Sequence, residues 1–343
     1  MRKIISSFAA IGISVASSLL AVNAFAQSDQ PVKIGVSLFQ QQSKRFVYEA
    51  GLMEKLAKAN GDDIIVNFGN NSAATQANQI ETMLLRGIKV LIVVPLEPKA
   101  LAPLIARARK QGVKVITYDS SMTAGQADYG VQRDNAAAGK QSVDAALAAS
   151  PEGKYAIIRG DISTPIAVEL GTHFDDVKSV PGVQVVYDQS VPGWNADTAQ
   201  KYAEAAVQRD PDLKAVIAMW DNASVATVQA LKAAGKKPGD VFVTGNNGDA
   251  VNLKLIQEGW QGQTTWTSID QMAKDAMAAA HAFGTGKEPP KADKVVDGIP
   301  YKYARTFSIT KDSLCEYITK VAPEGWLSPA DIKEIGNGKN PCD

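Results

Sequence analysis

QANQIETMLLRGIKVLIVVPLEPKALAPLIARARKQGVKVITYDSS, residues 76–121, switches between two periodicities. Ile80, Met83 and Leu84 are apolar at helical spacing, and Val90 to Val94 is an unbroken apolar run. Leu101 to Ala108 is helical again, and Val113 to Tyr118 is a second run. Runs apolar on both faces belong to a parallel sheet covered by helices on both sides. Each run stops at polar or turn residues, Pro95 after the first and Asp119-Ser120-Ser121 after the second. In an open α/β sheet ligands bind at the carboxyl ends of the strands. Asp119 is therefore the first candidate site residue.

Working outward, Val32 to Leu38 reads as a first strand, with the polar loop FQQQSKR, Phe39 to Arg45, at its end. A helix through Phe46, Ala50, Leu52, Leu56 and Ala57 leads to a second strand, Ile64 to Phe68. Past the quoted stretch, Tyr129-Gly130-Val131 is a short strand, and Asp134 or Asn135 caps the next helix. The alternation then restarts, with strands at Tyr155 to Ile158, Val183 to Tyr187, Ala215 to Ala218, Val241 to Thr244 and Thr264 to Thr267. Helices are predicted at Ala196 to Arg209, Ala223 to Ala234 and Ile269 to Phe283. The second set of strand ends carries Asp161, then Trp194 in a loop, then Trp220-Asp221-Asn222, then Asn246-Asn247. The remainder, punctuated by Pro289-Pro290, Pro300, Pro323 and Pro329, reads as irregular.

A chain of 343 residues can hold two such lobes. At its start, Arg2-Lys3, the apolar stretch Ile11 to Val22 and Ala24-Phe25-Ala26 follow the order of a secretory signal peptide cleaved after Ala26. The apolar run is short and broken by Gly12 and serines, which argues against a membrane anchor. Without residues 1–26 the chain is close to neutral, which gives no footprint for nucleic acid. Cys315 and Cys342, the two cysteines, fall in the exported portion and are expected to pair as one disulfide.

Five segments, ETMLLRGIKVLIVVP, QGVKVITYD, RDNAAAGK, PGWNADTAQ and VIAMWDNASVATVQALKAAG, in this order behind a signal peptide, carry a resemblance to a known family. The chain resembles the periplasmic sugar-binding proteins of ABC transporters, and within them the ribose- and xylose-binding group, over the mature chain to about Gly286. The resemblance implies the type I periplasmic binding protein fold: α/β, two doubly wound parallel-sheet lobes, a three-crossing hinge and a ligand cleft between the lobes. The expected boundaries are 27–134 with 267–296 for the first lobe, 135–266 with 297–314 for the second, and 315–343 for a disulfide-bounded tail. Crossings are expected near Gln132 to Asn135, Thr265 to Ser268 and Val295 to Gly298.

The same resemblance nominates site residues. The first strand-end loop brings in Phe39, Gln40, Gln41, Arg45 and Phe46. Asp119 matches the Asp that takes sugar hydroxyls, followed by Ser120 where relatives often have Arg. Trp194 matches the aromatic that stacks on the sugar ring, and Asp161 joins the nominees from its place at a strand end. Trp220-Asp221 stands where an Asn-Asp pair is usual, Asn247 replaces an Asp, and Trp266 and Thr267 lie on a crossing strand that holds a polar contact in relatives.

The chemistry suits a neutral polyhydroxylated ligand. Carboxylates and amides complement hydroxyls, which both donate and accept, and indoles complement C–H faces with little entropy to lose. Each nominee also has a structural use: Asp119 as a turn residue, Asp221 and Asn222 as a helix cap, Trp220 and Trp266 as core. Arg45 is the strong cation placed in the cleft, balanced by Asp119 and Asp221, so a sugar or polyol, pentose-like, is favoured over a sugar acid or phosphate. Only His173 and His281 occur, far apart, so no histidine zinc site or Ser-His triad is legible. Phosphate-binding glycine loops are absent as well. The reading is thus a monomeric periplasmic receptor without cofactor or metal, not an enzyme, that delivers its ligand to an ABC permease. The alternatives are a sensory co-receptor for a chemoreceptor or sensor kinase and, more remotely, an exported hydrolase.

Overall fold

The structure, a computed structural model, describes residues 31–343. The expected signal peptide and its cleavage after Ala26 lie outside the described residues. From Lys33 the chain alternates strand and helix: β1 Lys33–Leu38, α1 Lys44–Asn60, β2 Asp63–Phe68, α2 Ala73–Leu85, β3 Val90–Val93, α3 Pro98–Lys110, β4 Lys114–Tyr118 and β5 Tyr129–Arg133. These strands pair in parallel in the order β5-β4-β3-β1-β2. The strand runs β3 and β4 are apolar on both faces because both faces are covered. One face packs on α1 and on a later helix through Met53, Ala57, Met272 and Ala276, the other on α2 and α3 through Ile80, Met83, Leu101 and Ile105.

The second lobe follows: α4 Asn135–Ala149, β6 Gly153–Arg159, α5 Pro165–Leu170, β7 Val183–Ser190, α6 Ala196–Arg209, β8 Leu213–Ala218, α7 Asp221–Ala233, β9 Phe242–Val243 and α8 Ala250–Gln257. Its sheet, ordered β7-β6-β8-β9, is parallel throughout. Of the two cap candidates before α4, Asp134 is the one used, its carboxylate accepting from the Ala137 N–H at 3.0 Å.

The chain then runs through β10 Thr264–Thr267, α9 Ile269–Gly284, β11 Lys294–Val296, β12 Ile299–Ala304 and β13 Thr306–Ile309. The helix α9 returns to the first sheet and completes its core. The third crossing corrects the expectation: Val295 to Gly298 is the β11–β12 hairpin, antiparallel and still in the first sheet, with β12 alongside β5. The chain leaves that sheet only at Arg305, after which β13 pairs antiparallel with β10. Residues 297–304 therefore belong with the first sheet and not with the second. This part is also more regular than its prolines suggested. Pro300 is tolerated because β12 meets only the three-residue β11 on that side, and Gly130 of β5 leaves room for Tyr301, whose ring a Cβ there would approach to 2.0 Å.

The tail forms a small core of its own around Trp266, Tyr317, Trp326 and Ile335. Cys315 and Cys342 are joined by a disulfide. The last short helix, Pro329–Ile335, carries a capping box between Ser328 and Asp331. Tyr48 of α1 donates to the Glu324 carbonyl at 3.1 Å and stands edge-on to Trp326, centroids 5.8 Å apart. Lys254 of α8 meets Glu334 at 3.1 Å. The tail thus touches helices of both lobes.

Candidate functional site

A cavity of about 550 Å³ opens where the carboxyl ends of the two parallel sheets meet. Its first-lobe wall includes Phe39, Gln40, Arg45, Phe46, Asp119 and Arg133; its second-lobe wall includes Trp194, Met219, Trp220, Asn246 and Asn247. Each group ends a strand, sits past one or lies in the first turn of the helix after it, as the geometry of open parallel sheets requires.

Charge on the first wall is organised about Asp119. Arg45 Nη1 donates to Asp119 Oδ2 at 3.0 Å, its Nη2 lies 2.8 Å from Oδ1, and Arg133 Nε donates to Oδ1 at 2.8 Å. Arg45 also reaches back one helical turn, Nη2 donating to Glu49 Oε1 at 3.2 Å, and Tyr118 donates to the same oxygen at 2.6 Å. A buried ion pair is tolerable only when its remaining hydrogen-bonding groups are met, and this cluster meets most of them. Burial pushes the Glu49 carboxyl up to about 7 although Arg45 pulls the other way. Burial opposes the charge of Arg45 as well, but Asp119 and Glu49 outweigh it and hold that guanidinium above its ordinary value. Arg133 is lowered, by burial first and by the like charge of Arg45, against the pull of Asp119.

The second wall is aromatic. Trp194 and Trp220 stand edge to face, centroids 5.3 Å apart and planes at 79°. Gly160, at the end of β6, is pressed against the Trp194 ring, which a Cβ there would approach to 2.2 Å. Asp161 anchors the same loop: its carboxylate accepts from the Ser163 N–H at 2.9 Å and from the Gly193 N–H at 2.7 Å. Slight burial would raise that carboxyl, but the Ser163 hydroxyl, which donates to it at 2.7 Å, and these two N–H groups hold it below its ordinary value. Asp119, Trp194 and Asn247 all have positive φ, at 61°, 55° and 140°. Such conformations cost roughly 1–3 kcal/mol each and cluster at ligand sites.

Of the residues nominated from sequence, Phe39, Gln40, Arg45, Phe46, Asp119, Trp194, Trp220 and Asn247 line the cavity. Six others do not. Gln41 is exposed, and its backbone N–H donates to the Asn70 side chain at 3.4 Å. Ser120 is buried behind Asp119, and Asp161 serves the Trp194 loop. Asp221 is fully buried at the start of α7, accepting from the Thr264 hydroxyl at 2.6 Å and the Asp249 N–H at 2.8 Å. Burial and the nearby Asp249 raise its carboxyl, so it is no counter-charge to Arg45. Trp266, 1% exposed, packs on Trp326 and Tyr317 in the tail core, and Thr267 beside it is buried too.

Sequence reasoning missed Arg133, Asn246, Lys44 and the tail's Asp331, all in the cavity wall. Arg133 ends β5, and Asn246 adjoins the nominated Asn247, so the strand-end rule reaches both. Asn222, weighed as a cap, also lines the cavity, while α7 itself begins at Asp221 after Trp220. Nothing local announced Asp331, which comes within 3.7 Å of Lys44 through tail docking.

Residues 34–288 match the family model described as periplasmic binding protein domain. The chain belongs to that family. It is 28% identical over 324 residues to the D-xylose-binding periplasmic protein of Escherichia coli, covering 90% of this chain and 95% of the relative. It is 27% identical over 296 residues to the xylitol-binding protein of Mycolicibacterium smegmatis, covering 85% and 81%. A solved ABC transporter solute-binding protein from Mycobacterium smegmatis with bound glycerol superposes with a TM-score of 0.76 at 26% identity, over 87% of this chain and all of that one. The family and these relatives bind solutes and are not enzymes, and the fold is that of the type I periplasmic binding proteins. Among the described residues there is no cluster of His, Cys, Asp and Glu able to hold a metal, and no helix is long and apolar enough to cross a membrane.

Proposed function

We propose that this protein is a periplasmic receptor that closes its two lobes on a small neutral sugar or polyol, pentose-sized, and hands it to an ABC permease. The observation that carries the reading is the pairing of walls: a carboxylate fixed between two guanidinia faces an indole pair across one cavity. Fixed acceptors and donors suit hydroxyls, and indole faces suit the C–H surface of the same molecule. The volume of about 550 Å³ lies within the range of small-molecule sites. D-xylose, xylitol and glycerol in the names of the relatives support the same chemical class.

The reading rests on closure about the three inter-lobe strands, whose loop residues absorb the dihedral change. Thermal-shift screening against pentoses, polyols, sugar acids and small aromatics tests the ligand class, with small-angle scattering of any hit testing closure. A stabilising shift with a pentose or pentitol, accompanied by compaction, is expected. A shift only with acidic or phosphorylated compounds refutes the neutral ligand, and no shift with any compound refutes the receptor.

A further inference from the structure

The two cavity arginines are not equivalent. Both Nη groups of Arg45 are committed to the carboxylates of Asp119 and Glu49, and its Nε is buried without a partner. Arg133 spends only its Nε, on Asp119. Its two Nη groups have no hydrogen-bond partner among the described residues, yet the residue is only 6% exposed and lines the cavity. Neither Nη belongs to the fully buried atoms left without a partner, so both keep surface at the cavity, where their donors are open to a ligand. Across the cavity Asn246, 3% exposed, has a side-chain oxygen with no partner.

We propose that Arg133 is the specificity-determining fork of the site: its two Nη groups donate to oxygens on neighbouring carbons of the ligand, while Asn246 meets the same molecule from the other lobe. Arg45 is on this view a positioning residue that orients Asp119. The geometry of the fork explains the choice of ligand feature. The two Nη groups of a guanidinium are coplanar and spaced to address two acceptors side by side, which adjacent hydroxyls of a sugar or polyol provide. The Asp119 carboxylate, held by Arg133 Nε, retains acceptor capacity beyond the two arginine hydrogen bonds and can accept a hydrogen bond from one of those hydroxyls. Donor and acceptor then act on one diol, and a single isolated hydroxyl would use only half of the arrangement.

The inference rests on the proposed ligand class, and its test separates the two. D-xylose, xylitol and the 1-, 2- and 3-deoxy analogues of xylitol are titrated calorimetrically into wild type, Arg133→Lys and Arg133→Gln, with ligand-free melting recorded for each. In wild type, loss of either of two adjacent hydroxyls should weaken binding about tenfold or more, in the range of charge-assisted hydrogen bonds. Arg133→Lys keeps a charge able to pair with Asp119 but has no fork. In that variant the parent polyol should bind about ten- to a hundredfold more weakly, and the same two deoxy penalties should shrink to less than about threefold. Unchanged deoxy penalties in both variants, or a uniform loss for every analogue with a lower ligand-free melting temperature, would overturn the assignment and leave the ligand class standing. Absence of any sugar or polyol binding by wild type would overturn both.

Discussion

Replacing Glu49 with Gln should alter how stability depends on pH, with a sign fixed by the burial of this carboxyl. Glu49 has no exposed surface, faces Arg45 and Tyr118 directly, and lies near Asp119. Its carboxyl titrates near 7 in the folded chain against 4.5 when unfolded. Between those values the folded state holds a proton that the unfolded state has released, so this group makes unfolding easier as pH rises from 4.5 to 7. Its contribution is fully present below the unfolded value and gone above the folded one. The span corresponds to about 3 kcal/mol, at roughly 1.4 kcal/mol per unit. The Gln variant does not titrate there but keeps an oxygen for Tyr118. The unfolding free energy of wild type minus that of the variant, from urea titrations across pH 4.5 to 8, should therefore fall by about 3 kcal/mol and then level off. Groups that do not interact with Glu49 cancel in the difference. A flat difference would mean that Glu49 titrates alike in both states. A rising one would mean that the ion pair with Arg45 outweighs desolvation, and either result refutes the argument.

Trp194→Ala should weaken ligand binding by about 2 kcal/mol or more, as for a central aromatic anchor, with the ligand-free melting temperature little changed. Gly160→Ala should weaken it too, because the added methyl displaces the Trp194 ring; calorimetry with the best sugar of the panel reads both. Asp119→Asn should cost roughly 1.5–3 kcal/mol of binding and also lower the melting temperature, since it leaves Arg45 and Arg133 facing each other without their shared counter-charge. Reducing the disulfide between Cys315 and Cys342, or replacing both by Ser, should cost about 3.5 kcal/mol of stability on the chain-entropy model for a loop of 27. Binding should survive in part, because Asp331 is the one described tail residue that lines the cavity.

What the sequence disclosed follows from what is local. The alternation of β3, α3 and β4 is written in residues 76–121, since strands buried on both faces must be apolar throughout, and the strand-end rule then reaches Asp119, Trp194 and Trp220. Pairings between distant segments are not written locally. Asp221 reads as a site carboxylate after a strand, but Thr264 and Asp249, far along the chain, turn it inward. Trp266 reads as a ligand platform, but the tail supplies Trp326 and Tyr317 to bury it. Pro300 reads as a break, but its strand has only a short partner on one side. Arg133 ends β5 beside the capping Asp134, and its pairing with Asp119, fourteen residues back, is not written in its own neighbourhood.

The position of Asp119 shows how the site depends on the whole first sheet. Its backbone is left-handed, with φ of 61°, and its N–H donates to the Val131 carbonyl at 2.9 Å, so the β4–β5 pairing sets where its side chain points. One arginine then arrives from α1 and the other from the end of β5, and neither could replace the other without moving a helix or a strand. The indoles follow β7 and β8 in the other sheet, with Trp194 held by Gly160 and its loop by Asp161. Each wall is thus assembled from elements of its own sheet, and on the proposed reading closure changes the distance between the walls. A receptor that must grip and then release its ligand needs that division of labour: the contacts are prepared within the lobes, and binding energy is gained or given up by the motion between them.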